Sequence, residues 1–160
     1  MRKWILGIWL LVIIGVAIWM VRDKEQVLRE GELMLVELNV RDPLSLMQGS
    51  FMTLNFTAFD TLNTEGWAQR GDVAVMLDAE RIVQSVRLLD GAQAALQSGE
   101  LRLPYRLVHG DVVWGASSYL FPQGEEARFE RARYAAFRVA DDGNVLVGLH
   151  DSSGVLIEVP

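Results

Sequence analysis

The chain has 160 residues, a formal net charge of −6 and 51% hydrophobic side chains, enough for one domain with a real core beside an apolar segment. All 21 acidic residues lie after position 22, with only 12 of the 15 basic ones, so phosphate backbones are repelled and no nucleic-acid partner is expected. Cysteine is absent, which excludes disulfides, thiolate metal sites and thiol nucleophiles.

The first element is the run WILGIWLLVIIGVAIWMV, from Trp4 to Val21, without a charged or strongly polar side chain. As a helix its 18 residues span roughly 27 Å, close to the ~30 Å of a bilayer's hydrocarbon core. Trp4 and Trp19 stand near its ends, where indoles favour the interface. Arg2 and Lys3 precede it, whereas Arg22 and Lys24 are offset by Asp23 and Glu25. The pattern predicts a transmembrane anchor over 4–21, with residues 1–3 cytoplasmic and the rest outside the cytoplasm at the inner (cell) membrane. The rival reading is a signal peptide cut after Gly15-Val16-Ala17, but Ile18 to Val21 leave no polar region before such a site. Both readings export the domain.

Residues 22–32 read as a helical stalk that stops at Gly31. From 33 to 160 the chain divides into short strand-like runs. Leu33–Val40 and Phe51–Phe59 come first, the latter with Met52, Leu54, Phe56 and Ala58 on one face. Asp72–Asp78 and Arg81–Leu89 follow as a hairpin about Ala79-Glu80. Leu101–Val108, Val112–Tyr119, Tyr134–Val139, Val145–Leu149 and Val155–Val159 complete the set. Turns are expected at Asp141-Asp142-Gly143-Asn144 and at Ser152-Ser153-Gly154. A helix is expected over Glu125–Arg133, with its acids leading and its arginines trailing. The fold class that results is mainly β, an antiparallel barrel or sandwich with one short helix, preceded by a single transmembrane helix.

Catalytic patterns are sparse. The two lysines, Lys3 and Lys24, both lie outside the β-domain, which leaves no Ser–Lys dyad within it. His109 with Asp111 and His150 with Asp151 are the only histidine–acid neighbours, and no serine occupies a nucleophile elbow. The same two pairs are the only histidine-based metal option; ordinary turn or strand-end roles are the plainer account. Phe59-Asp60-Thr61 begins like an aspartic-protease motif, but Leu62 stands where glycine is required. Phosphate-cradling glycine loops are missing. Trp67, Trp114, Tyr119 and Phe121 read as core aromatics, or alternatively as the lining of a ligand groove. No catalytic residue, metal or cofactor is assigned.

At Asp42–Phe56 the reading DPLSLMQGSFMTLNF resembles the GDYXXLXY domain family of small bacterial membrane-anchored proteins. Asp42, Pro43, Gly49 and Leu54 match its elements. Ser50 replaces the motif's aspartate, and Phe51 and Phe56 replace its tyrosines. The segment from Tyr119 through Pro122 and Gly124 to Glu125 is similar to the family's aromatic–Pro–x–Gly–Glu segment. The resemblance extends over about 33–160 and implies no activity. Because Ser50 and Phe51 cannot perform the proton chemistry of an acid and a phenol, the motif reads as structural, Gly49 easing a turn into a strand that enters the core. The expected role is a non-enzymatic accessory or interaction module, held in the lipid bilayer through residues 4–21 and contacting a membrane or envelope protein partner. A small-ligand-binding or sensing domain, and a hydrolase built from distant carboxylates, are the alternatives.

Overall fold

Apolar side chains with helix-permissive backbones continue without a proline or an interior charge until Arg22, so nothing in the N-terminal run stops a helix. The computed structural model describes residues 2–39, 51–60, 62–91, 94–140 and 143–158. In it α1 (Arg2–Glu30) is one unbroken helix of 29 residues, so the apolar run and the stalk are a single element. Its large apolar side chains from Ile8 to Val21 are all at least 46% exposed, whereas Val27, one turn from the end, is 2% exposed. Among the described residues no helix is long and apolar enough to cross a membrane.

Gly31 closes the helix by donating its amide to the Val27 carbonyl at 2.9 Å, and β1 (Glu32–Glu37) begins at the next residue. The remaining strands are β2 (Phe51–Thr53), β3 (Arg70–Leu77), β4 (Val83–Leu89), β5 (Glu100–Val108), β6 (Asp111–Val113), β7 (Ser118–Leu120), β8 (Tyr134–Ala140) and β9 (Gly143–His150). They form an antiparallel three-stranded sheet in the order β1-β8-β9, a β2-β7 ribbon and a four-stranded sheet in the order β4-β3-β5-β6. One parallel bridge, Leu35 to Ile82, joins the first sheet to the third. The mainly β expectation therefore holds, with the sheets forming a half-barrel around one core.

Period-two burial produces the core. Met34, Val36, Val73, Val75, Leu103, Ala135, Phe137 and Leu149 are fully enclosed on the inner faces of β1, β3, β5, β8 and β9. The β3–β4 hairpin falls where expected. Its turn is held by the Asp78 carboxylate, which accepts the amides of Ile82 at 2.7 Å and Glu80 at 3.0 Å. Arg81 takes a left-handed φ of 67° there, a conformation that costs a non-glycine residue about 1 kcal/mol or more.

Four sequence expectations are corrected. Phe51–Phe59 is a strand only to Thr53; Phe56 makes a single bridge to Leu38, and Thr57–Asp60 forms a helical turn, α2. Met52, Leu54, Phe56 and Ala58 all face the core as expected, but the turn adds Phe59, which the alternation had placed outside. Val112–Tyr119 is not one strand, because the chain leaves the sheet at Trp114 and pairs again only at Ser118. The expected helix Glu125–Arg133 is a single turn, α3 (Glu126–Phe129), since Arg133 already pairs with the neighbouring strands through Leu38 and His150. Of the expected strand Val155–Val159, the described residues, to Glu158, hold a bridge between Leu156 and His150 and no named strand; Val159 lies outside the described residues. Two short helical turns, not one, thus accompany the strands. Asp141 and Asp142 lie outside the described residues, but the β8–β9 pairing they join is present through Ala140 and Gly143.

The four-stranded sheet carries a titratable clamp. Arg87 donates two bonds to Glu100, at 2.6 and 3.1 Å, and the Glu100 side chain is 5% exposed. The Arg87 bonds first, and then the Gln97 amide, hold the Glu100 carboxyl below its ordinary 4.5. A group whose folded pKa is depressed adds stability above its unfolded value and loses it as pH falls through the folded one. Thermal stability is therefore expected to drop as pH is lowered through and below the ordinary 4.5, and Glu100→Gln to flatten part of that drop. Equal slopes for wild type and variant in a pH-resolved melting series would overturn this assignment.

Candidate functional site

Three aromatic side chains from distant elements converge on Trp114. Phe59 of α2 stacks on its ring at 4.9 Å and 23°, Phe56 meets it at 5.0 Å, and Phe137 of β8 at 4.7 Å. Gly115 follows because the chain must pass close to β8: a Cβ there would stand 3.0 Å from the Phe137 ring and 3.2 Å from Asn144 Oδ1. The Asn144 amide nitrogen donates to the Trp114 carbonyl at 2.7 Å, tying this crossing to β9.

The crossing separates two clefts. The first, of about 780 Å³, runs over the end of the β3–β5 pairing and is lined by Arg70, Asp72, Tyr105, Arg106, Trp114 and Asn144, among others. The second, of about 590 Å³, opens between α2 and the β5–β6 turn, where Asp60 and Asp111 face Trp114 and Thr64. Asp60 accepts a bond from Asn39 Nδ2 at 2.5 Å, and Thr64 Oγ1 donates to the Gly110 carbonyl at 2.9 Å. Tyr105 is 5% exposed; burial, and then the nearby Asp72 charge, push its phenol pKa up, so it is a neutral hydroxyl that donates to the Ala68 carbonyl.

The histidine–acid neighbours have local duties. His109 and Gly110, at φ 55° and 94°, make the two-residue turn between β5 and β6. His150 Nδ1 lies 2.9 Å from the Gly154 carbonyl. Asp151 accepts from Ser153 Oγ at 2.6 Å, from the Ser153 amide and from the Val155 amide, bonds that hold its carboxyl below its ordinary 3.8. Among the described residues no three metal-ligating side chains come together.

The four aromatics singled out in the sequence do not share one groove. Of the four, Trp114 alone lines either of the two clefts described above, and it lines both. Trp67 packs edge-on against Tyr105 at 5.2 Å, while Tyr119 and Phe121 pack on Phe129 at 5.5 and 4.9 Å. Of the motif residues, Leu54 and Phe56 are in the core, and Phe51 stands opposite Leu120 on the β2–β7 ribbon. Pro122 and Gly124 form the turn before α3: the Pro122 carbonyl accepts the Glu125 amide, and Gly124 takes φ 93° while donating its amide to Glu126. Asp42, Pro43 and Gly49 lie outside the described residues. Arg70 and Arg106 carried no sequence signal, and Asn144, expected in a turn, is instead a β9 residue opposite Val139; their meeting depends on strands far apart in the chain.

Comparison with protein-family models finds a match to the GDYXXLXY protein model over residues 13–149. That span starts earlier than the motifs suggested, inside the apolar part of α1, and stops short of the C-terminal bridge. No curated protein and no solved structure matches the chain.

Proposed function

The chain belongs to the GDYXXLXY family, and from that premise we propose that it is a single-pass membrane protein whose β-domain is a non-enzymatic interaction module outside the cytoplasm. One observation carries the reading: the large apolar side chains of α1 from Ile8 to Val21 are exposed on every face of the helix. Removing such a side chain from water is worth about 1.5–3 kcal/mol, so a helix bare on all sides calls for an apolar surrounding. The charge-free sequence from Trp4 to Val21 suits a hydrocarbon core, and Arg2 with Lys3 favours an N-terminus inside. The acidic β-domain then stands against the outer face, where a membrane or envelope protein is its partner.

Alkaline carbonate should leave the full-length chain in the membrane pellet, and protease added from the periplasmic side should digest the β-domain. A stoichiometric partner is expected to follow the chain through gentle solubilisation. Release by carbonate would remove the anchor. A partner-free monomer from several mild detergents would remove the interaction role.

A further inference from the structure

We propose that the cleft beside Trp114 is a binding site for a small anion bearing a phosphate or carboxylate group, held by Arg70 and Arg106. The two arginines stand opposite each other in the β3–β5 register, and both line the 780 Å³ cleft. Like charges directly opposed on an antiparallel pair repel one another. The rest of that sheet face shows how such charges are otherwise matched. Arg87 is clamped to Glu100 at 2.6 Å, and Arg102 to Asp72 at 2.9 Å. At the last rung the matching ends: neither Arg70 nor Arg106 has an ion pair or side-chain hydrogen bond among the described residues.

Asp72 also lines the cleft, but it is spoken for. Its bond to Arg102 is three-quarters enclosed on both sides, so the positive charge at the rim stays uncompensated. The other lining groups, Gly71, Pro104, Tyr105, Val113, Trp114, Gly115 and Asn144, are uncharged. A planar guanidinium pair offers several N–H donors in fixed directions, which suits the oxygens of a carboxylate or phosphate better than a diffuse positive field would. The surrounding domain is strongly acidic, so a polyanion is repelled while a single small anion can reach two adjacent arginines. Size and charge together select the ligand class.

The test is thermal unfolding of the full-length chain in an uncharged detergent, with inorganic phosphate or succinate titrated against sodium chloride of equal ionic strength. At least one anion should give a saturable rise, roughly 5 °C or more once it stands at a hundred times its Kd. Phosphate alone, succinate alone, or both answering tells which oxygen group is recognised. Arg70→Gln and Arg106→Gln should each abolish the rise, yet in chloride unfold no lower than wild type, because one repelling charge is gone. Arg131→Gln, an arginine outside the cleft, should keep the response. No rise with either anion, or a rise that survives both cleft substitutions, overturns the proposal.

Discussion

Phe137→Ala is expected to cost about 3–5 kcal/mol, the ordinary range for emptying an aromatic site in a core. Phe137 is fully enclosed, 4.7 Å from the Trp114 ring and 5.8 Å from Phe56. The void cannot be filled cheaply. Trp114 is already stacked on Phe59, and its carbonyl is tied to Asn144. Against a total stability of about 5–15 kcal/mol, the loss should lower the melting temperature by roughly 10–20 °C. The aromatic near-UV signal should weaken as well, since the ring that fixes Trp114 is gone. Phe51→Ala is the comparison: Phe51 is 36% exposed on the β2–β7 ribbon, and about 1 kcal/mol or less is expected. Equal losses for the two would mean that the Trp114 cluster is not the centre of the core.

Gly31→Val should also be damaging, at about half that cost, for a different reason. The φ of Gly31 is not the issue; the space is. A Cβ there would stand 2.4 Å from the Val27 carbonyl oxygen and 3.1 Å from the backbone nitrogen and oxygen of Val139. Neither neighbour is a flexible side-chain tip, so α1 and β8 must move apart. Their separation also strains the bond from Arg138 Nη1 to the Gly31 carbonyl, at 2.9 Å. Overpacking of this kind costs about 1–3 kcal/mol, or roughly 5–10 °C in melting temperature. Gly15→Val, where nothing lies within 4 Å, should leave the β-domain's melting unchanged. A Gly31 variant that melts like wild type would show that helix and sheet do not meet at this contact.

Much of this fold is legible in the sequence because its signals are local. Alternation of apolar residues marks β3, β5 and β8, and Gly31 marks the end of α1. The misreadings arise where a distant partner overrides the local period. Phe56 to Asp60 alternates well enough to look extended, but Phe59 must reach Trp114, and a helical turn brings positions 56 and 59 to the same side. Gly115 sits in the middle of an otherwise strand-like run. A glycine inside a strand pattern signals a bend or a close approach, and here it is both. The Glu125–Arg133 run has helical charge order, yet α3 stops after one turn because Arg133 is needed in the ladder beside Leu38. Sheet closure is the least local property of all: one bridge, Leu35 to Ile82, connects two sheets, and nothing in either run announces it.

The candidate site was less legible than the fold. Trp114 was visible as an aromatic and Phe56 as a core-facing residue, but their meeting with Phe59 and Phe137 was not, since Phe59 comes from α2 and Phe137 from β8. The arginine pair was invisible for a related reason. Residues 70 and 106 become neighbours only through the β3–β5 register, which skips over the whole of β4.

The junction at residue 31 has a dynamic consequence. Where the chain passes from helix to sheet, Gly31 is bonded on both sides, to Val27 by its amide and to Arg138 by its carbonyl, with Val27 enclosed beneath it. No swivel is left between them. In any particle that holds α1, the β-domain should therefore reorient with the helix as a single body. Amide relaxation from Val27 through Val36 would then report one correlation time, and the azimuth of the helix would decide which way the domain faces.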